Sequence, residues 1–212
     1  MKTLTIAILT MAMCGFCMAQ DKTADKKPMG KPAMAHDKDK APGMEMPKPG
    51  PEAQHLYGMV GTWAATVKTE PGPWGKGGTE KGTMTAMKGP GGFSVEQNFK
   101  TTGTMGPFTG HGTEYWDKSA KQYKGLWCDS MGGCMTSTTK MDGDKKYTVE
   151  MQDMEMNGKK VQSTINGTIS DDGNSMHEEF MQSFDGSPAT KTMTIDYKRI
   201  GKATGEKPAD KK

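Results

Sequence analysis

Lys160-Val161-Gln162-Ser163-Thr164-Ile165-Asn166-Gly167-Thr168-Ile169, then Asp172-Gly173, then Ser175-Met176-His177-Glu178-Glu179-Phe180-Met181-Gln182-Ser183-Phe184, closed by Asp185-Gly186, is the stretch that decides the fold. Two extended runs meet at an Asp-Gly pair, and a second Asp-Gly pair follows at once. Such pairs supply the positive φ that a tight β-hairpin demands. The pattern repeats across the chain. Gly-Pro-Gly-Gly at 89–92, Asp142-Gly143 and Asn157-Gly158 punctuate short alternating segments, with hardly a helical stretch among them. Trp63, Ala65 and Val67 alternate with Thr62, Ala64 and Thr66, the period of a strand with one buried face.

Working outward, strands are expected near Trp63–Val67, Gly78–Met87, Phe93–Thr101, Phe108–Trp116, Gln122–Asp129, Cys134–Met141, Lys146–Met156, Lys160–Ile169, Ser175–Phe184 and Ala189–Arg199. Within Lys146–Met156 the methionines Met151, Met154 and Met156 show a bulge-like slip. His55-Leu56-Tyr57-Gly58-Met59-Val60 is apolar at helical spacing but has room only for a short helical turn. Connections this short exclude parallel crossovers. The expected fold class is all-β: an antiparallel up-and-down β-barrel of about ten strands, which at that size encloses a pocket.

Residues 1–19 carry one Lys, an apolar run from Leu4 to Met13 and a small residue at Ala19, the composition of a secretory signal peptide. The apolar run is too short for a membrane span. Residues 20–51 are built from Lys, Asp, Pro, Gly, Ala and Met and read as a disordered tether, and residues 201–212 as a tail of the same kind. The barrel domain is expected at 52–200. The expected location is the periplasm or outside the cell. Net charge is only +3, with Lys mixed among Asp and Glu, which argues against nucleic acid as a partner.

Arg199 is the only arginine, on the closing strand, while Trp63 opens the first; a closed barrel makes those strands neighbours. A guanidinium can stack on an indole and still donate to carbonyls, a structural role. Cys128 and Cys134 flank a turn, and in an oxidising compartment they are expected to form a disulfide. The rival reading is an envelope protein that binds Cu(I) or Ag(I) through Cys128, Met131, Cys134 and Met135 of that loop, with Met29, Met34, His36, Met44, Met46 and His55 as further ligands ahead of the barrel, since thiolates and thioethers suit Cu(I). The chain holds 21 methionines, yet beyond the signal its only leucines are Leu56 and Leu126, so Met also serves as its bulky aliphatic residue.

The spaced set His55 to Trp63, Gly106-Pro107-Phe108-Thr109-Gly110, Tyr115-Trp116-Asp117, Lys121-Gln122-Tyr123 and Trp127-Cys128-Asp129-Ser130-Met131 resembles a bacterial family known as domain of unknown function 1579. Gly61-Thr62-Trp63 after a helical turn, with a lone basic residue on the last strand, is similar to the calycin arrangement of lipocalins and fatty-acid-binding proteins. The resemblance implies an exported calycin-like barrel and supplies no catalytic residue. Cys128 and Cys134 depart from the family pattern.

No nucleophile elbow and no phosphate-binding loop is present, so positive evidence for an enzyme is missing. No cofactor is expected, with Cu(I) as the alternative. The functional expectation is a small, partly apolar ligand in the interior, lined by Trp63, Phe93, Val95, Phe99, His111, Tyr115, Trp127 and Phe180. His111 and His177 lie within strands, and one histidine without partner spacing identifies nothing. Glu178 and Glu179 are neighbours on a strand, point to opposite faces and cannot act jointly.

Overall fold

The computed structural model describes residues 46–202, except 73, 74, 104, 105 and 157. The signal and tether expectations and most of the C-terminal tail lie outside these residues. The first element is a helix, α1 (Pro51–His55), with Pro51 in the first turn, where a missing amide hydrogen costs nothing. A single 3₁₀ turn, Leu56–Met59, continues it before Val60 returns to extended backbone.

Eleven strands follow: β1 (Gly61–Thr69), β2 (Gly78–Lys88), β3 (Ser94–Gly103), β4 (Gly106–Asp117), β5 (Gln122–Asp129), β6 (Cys134–Asp142), β7 (Lys146–Met151), β8 (Met154–Met156), β9 (Lys159–Ile169), β10 (Ser175–Phe184) and β11 (Thr190–Gly201). All pairings are antiparallel. Neighbours in sequence pair through β7, β7 pairs with β9, β9 with β10, β10 with β11, and β11 returns to β1. Ten strands thus close an up-and-down barrel, and the three-residue β8 is an extra strand against β9.

The expected Lys146–Met156 strand is corrected by this break. The chain leaves the barrel wall at Gln152-Asp153, where the Gln152 amide donates to the Thr136 carbonyl at 2.8 Å and Asp153 pairs with Lys160 at 2.7 Å. A polar pair with its own partners on neighbouring strands interrupts the ladder fully, where the sequence suggested only a bulge.

At the tight turn joining β10 to β11, Asp185 and Gly186 both adopt positive φ, 50° and 76°, matching the right-handed twist of the strands they connect. The seam between first and last strand is fixed from below. The Arg199 guanidinium lies 4.0 Å over the Trp63 ring and donates to the carbonyls of Val60, Gly58 and Gly173.

The helical segment covers that end of the barrel. Leu56 packs with Ala86, Val95 and Tyr123, backed by Tyr57, Val60, Trp116 and Met141. Polar groups pin the same segment: Tyr57 Oη donates to Gly92, Tyr123 Oη to Glu52 and Trp63 Nε1 to Met59. Further in, Trp63, Ala65, Val67, Met84, Phe99, Met176, Ile195 and Tyr197 form the main core.

Candidate functional site in the barrel interior

Alternation along each strand sends every second side chain inward, and the pairing register carries that assignment from strand to strand. From the buried Trp63, register leads through Met84 to Phe99 and then to Gly110, and Gly112 pairs with Trp127. On the other side it leads through Tyr197 to Met176 and from Ile195 to Glu178. The inward set on the far wall comprises Trp127, Met135, Ser137, Thr139, Tyr147, Val149, Ile165, Gly167, Glu178 and Phe180.

Two glycines make room for the large side chains there. A Cβ on Gly110 would collide with the Trp127 indole, and one on Gly167 with the Tyr147 ring. Both rings are therefore laid across bare backbone. Phe108, Trp127, Ile169, Phe180 and Met193 pack against the main core yet stay only partly buried, so the interior is not sealed around them.

Polar chemistry is concentrated deep in this space. Glu178 accepts a hydrogen bond from Tyr147 Oη at 2.7 Å on one carboxyl oxygen and from Tyr197 Oη at 3.2 Å on the other. Burial pushes its proton affinity up, and the two phenol donors pull partly against that. Glu114 is also deep, and burial raises it in the same way, with the charge of Glu178 adding to the effect. Its Oε1 has no hydrogen-bond partner. The Thr139 hydroxyl lies close enough to favour the ionised carboxyl, but outside hydrogen-bond geometry, and is itself unpartnered. Both tyrosines are held well above the ordinary phenol range, by burial first and Glu178 second, so they remain donors.

The structure divides the residues expected to line the pocket. Trp63, Val95 and Phe99 are buried in the two core clusters, and Trp127 and Phe180 face the interior half-buried. His111 and Tyr115 do not face it. They alternate with Gly110, Gly112 and Glu114, so they stand on the outer face; Tyr115 is 41% exposed and His111 meets Asn98 at 3.0 Å. Phe93 lies beyond the start of β3. It shares with Tyr115 a notch of about 380 Å³ between α1 and the outer side of β3 and β4. His111 borders a polar groove of about 540 Å³ with Thr83, Thr85, Asn98 and Ser130, on the outer side of β2 to β5. His177 also faces outward, 2.7 Å from Asp196.

In the sulfur loop, Cys128 and Cys134 sit directly opposite in register and are joined by a disulfide. Neither sulfur is then a thiolate. Met131 is 74% exposed at the turn, and Met135 faces the interior beside Trp127. Among the described residues no group of three or more His, Cys, Asp or Glu side chains is placed to hold a metal.

Reasoning from sequence missed Glu114, Tyr147, Glu178 and Tyr197. A signal existed for one of them: in Met176-His177-Glu178-Glu179-Phe180 the apolar ends fix the buried face, and Glu178 falls on it.

Comparison with known proteins agrees with this architecture. The family described as "Protein of unknown function (DUF1579)" matches residues 48–199. The crystal structure of Rv2717c from M. tuberculosis is similar in fold, with a TM-score of 0.51 at 12% identity, covering 72% of this chain and 99% of that one. A de novo designed fluorescence-activating β-barrel gives a TM-score of 0.34 at 16% identity, covering 70% of this chain and 96% of that one. No curated protein matches the chain.

Proposed function

Since the chain belongs to the DUF1579 family, a family of unknown function, we propose from the site alone that it is an exported binding protein that holds a small, partly apolar molecule inside the barrel. One observation carries this reading. Aromatic and sulfur side chains that face inward, Trp127, Phe180 and Met193 among them, stay half-buried, and the same interior holds a carboxyl oxygen of Glu114 that has no hydrogen-bond partner among the described residues. A barrel that only needed a filled core would place apolar groups at such a position, because an unpartnered buried polar group costs stability. Access is assigned to the end opposite the helical segment, which covers its own end.

The test uses protein purified from its own host, examined by native mass spectrometry and by tryptophan fluorescence on extraction with organic solvent. A bound small molecule whose removal shifts the emission supports the reading. Protein that is empty in repeated preparations, and whose emission does not respond to any apolar probe, overturns it. The copper or silver alternative has less support in the loop, because the Cys128–Cys134 disulfide withdraws two of its four sulfur ligands there, while Met29, Met34, His36 and Met44 lie outside the described residues.

A further inference from the structure

We infer that the molecule held in the barrel is a protonated amine with an apolar body, its ammonium lodged between Glu114 and Glu178. This rests on the proposed interior binding site and names its ligand class. The sign of the interior is the first argument. Between the two rims, the charged side chains that face inward among the described residues are Glu80, Glu114 and Glu178. All are acidic, in a chain whose formal net charge is +3. Of the basic groups of the same parity, two are at the closed end, where Lys88 sits 4.2 Å over the Tyr57 ring and Arg199 is committed to Trp63 and three carbonyls, and Lys159 is exposed at the first position of β9, on the opposite rim. Between the rims, the lysines of the described strands, Lys68, Lys81, Lys100, Lys124, Lys140 and Lys198 among them, stand on the outer face.

Valence is the second argument. Glu178 is surrounded by donors that are neutral, so its two hydrogen bonds orient the carboxylate without cancelling its charge. Glu114 stands close enough to feel that charge and offers an oxygen with no partner. A neutral hydrocarbon would leave this oxygen unpaired, and a carboxylate ligand would be repelled by both residues. An ammonium supplies up to three N–H donors and the missing charge at once. The rings of Trp127 and Phe180 and the thioether of Met193 face the same interior, where an aliphatic body and a cation over an aromatic face are both accommodated. A hard metal ion fits less well, since Ca²⁺ is usually held by several carboxylates and among the described residues no third His, Cys, Asp or Glu joins the two.

Titration calorimetry on the full chain at pH 7 decides the matter, with n-hexylamine, n-hexanol and hexanoate as probes of equal length. Hexylamine is expected to bind at least about ten-fold more tightly than hexanol, the scale of one added charge-assisted hydrogen bond, while hexanoate shows no binding. Glu114→Gln is expected to remove the amine preference, so that hexylamine binds no more tightly than hexanol. The wild-type ratio stands as the test even if that variant fails to fold. Hexanol binding as tightly as hexylamine overturns the amine assignment and leaves the interior site intact. No binding of either probe overturns both. Calcium chloride displacing hexylamine assigns the carboxylates to a metal ion and overturns the amine.

Discussion

Arg199 stacks its guanidinium on the indole of Trp63 at a centroid distance of 4.0 Å, and through this contact the last strand is clamped to the first. The same side chain donates to Val60 and Gly58, which precede β1, and to Gly173, which precedes β10. One residue therefore ties the helical segment, the closing seam and a neighbouring turn. Lysine keeps the charge but loses the planar fork. Arg199→Lys is expected to cost about 1–3 kcal/mol, the sum of a lost stacking contact and orphaned carbonyls. Urea unfolding followed by tryptophan fluorescence gives the midpoint shift. A change below about 0.5 kcal/mol would mean that the clamp is ornamental.

The acid pair makes stability depend on pH in a direction opposite to that of most surface carboxylates. Glu114 and Glu178 both have folded-state values raised above the ordinary 4.5. Below that value both carboxyls are protonated, folded or unfolded. As the pH rises past it, the unfolded chain ionises first and draws the equilibrium away from the fold, until the folded carboxyls ionise as well. Thermal midpoints are expected to fall as the pH rises above about 4.5, until the folded carboxyls have ionised too. Glu114→Gln removes the uncompensated group and is expected to flatten the slope and raise stability at pH 8 by about 1–3 kcal/mol. Glu178→Gln behaves differently, since Tyr147 and Tyr197 donate to different carboxyl oxygens and one of these becomes an NH2 that cannot accept, and its gain is expected to be smaller or negative. A wild-type midpoint that climbs steadily from pH 5 to 8, unchanged by Glu114→Gln, would contradict the burial of these groups.

The hairpins were legible because turn chemistry is local. Asp172-Gly173 and Asp185-Gly186 announce their backbone conformation without reference to anything distant, and closure follows from short antiparallel connections. The inward face was legible only where apolar residues monopolise one parity, as in β1. Strand β4 shows why the rest was not. Across its middle, Tyr115 and His111 share one face and Gly110, Gly112 and Glu114 share the other, so a rule that sends large groups inward selects the wrong side there, although Phe108 and Trp116 near the strand ends stand on the inner face. The glycine face is the inner one because Trp127, from the neighbouring strand, occupies the space over it. That is a tertiary fact, and between Phe108 and Trp116 the inner face of β4 carries no apolar side chain that would announce it.

The disulfide between Cys128 and Cys134 closes a very short loop, so its contribution to stability is small, about 2 kcal/mol on a chain-entropy argument. Replacing both cysteines by serine is expected to lower stability by about that amount and leave the barrel folded. Thiol titration is the companion measurement. In chain cleaved after Ala19, which loses Cys14 and Cys17, no thiol is expected to react until a reductant is added. Two reactive thiols in the untreated folded protein would revive the sulfur loop as a soft-metal site.

Gly110 tests the interior most directly. Its Cβ position is already occupied by the Trp127 ring, so alanine there cannot be accommodated by a small adjustment of a flexible chain end. The indole must turn away, and the half-buried surface it presents to the interior goes with it. Gly110→Ala is expected to shift tryptophan emission and to cost about 1–3 kcal/mol. It is also expected to weaken hexylamine and hexanol alike, because it changes the wall and not the charge. Glu114→Gln, by contrast, acts on the ratio of the two affinities. If Gly110→Ala leaves emission, stability and both affinities where they were, Trp127 does not lie across that strand, and the interior face of β4 has been assigned to the wrong side.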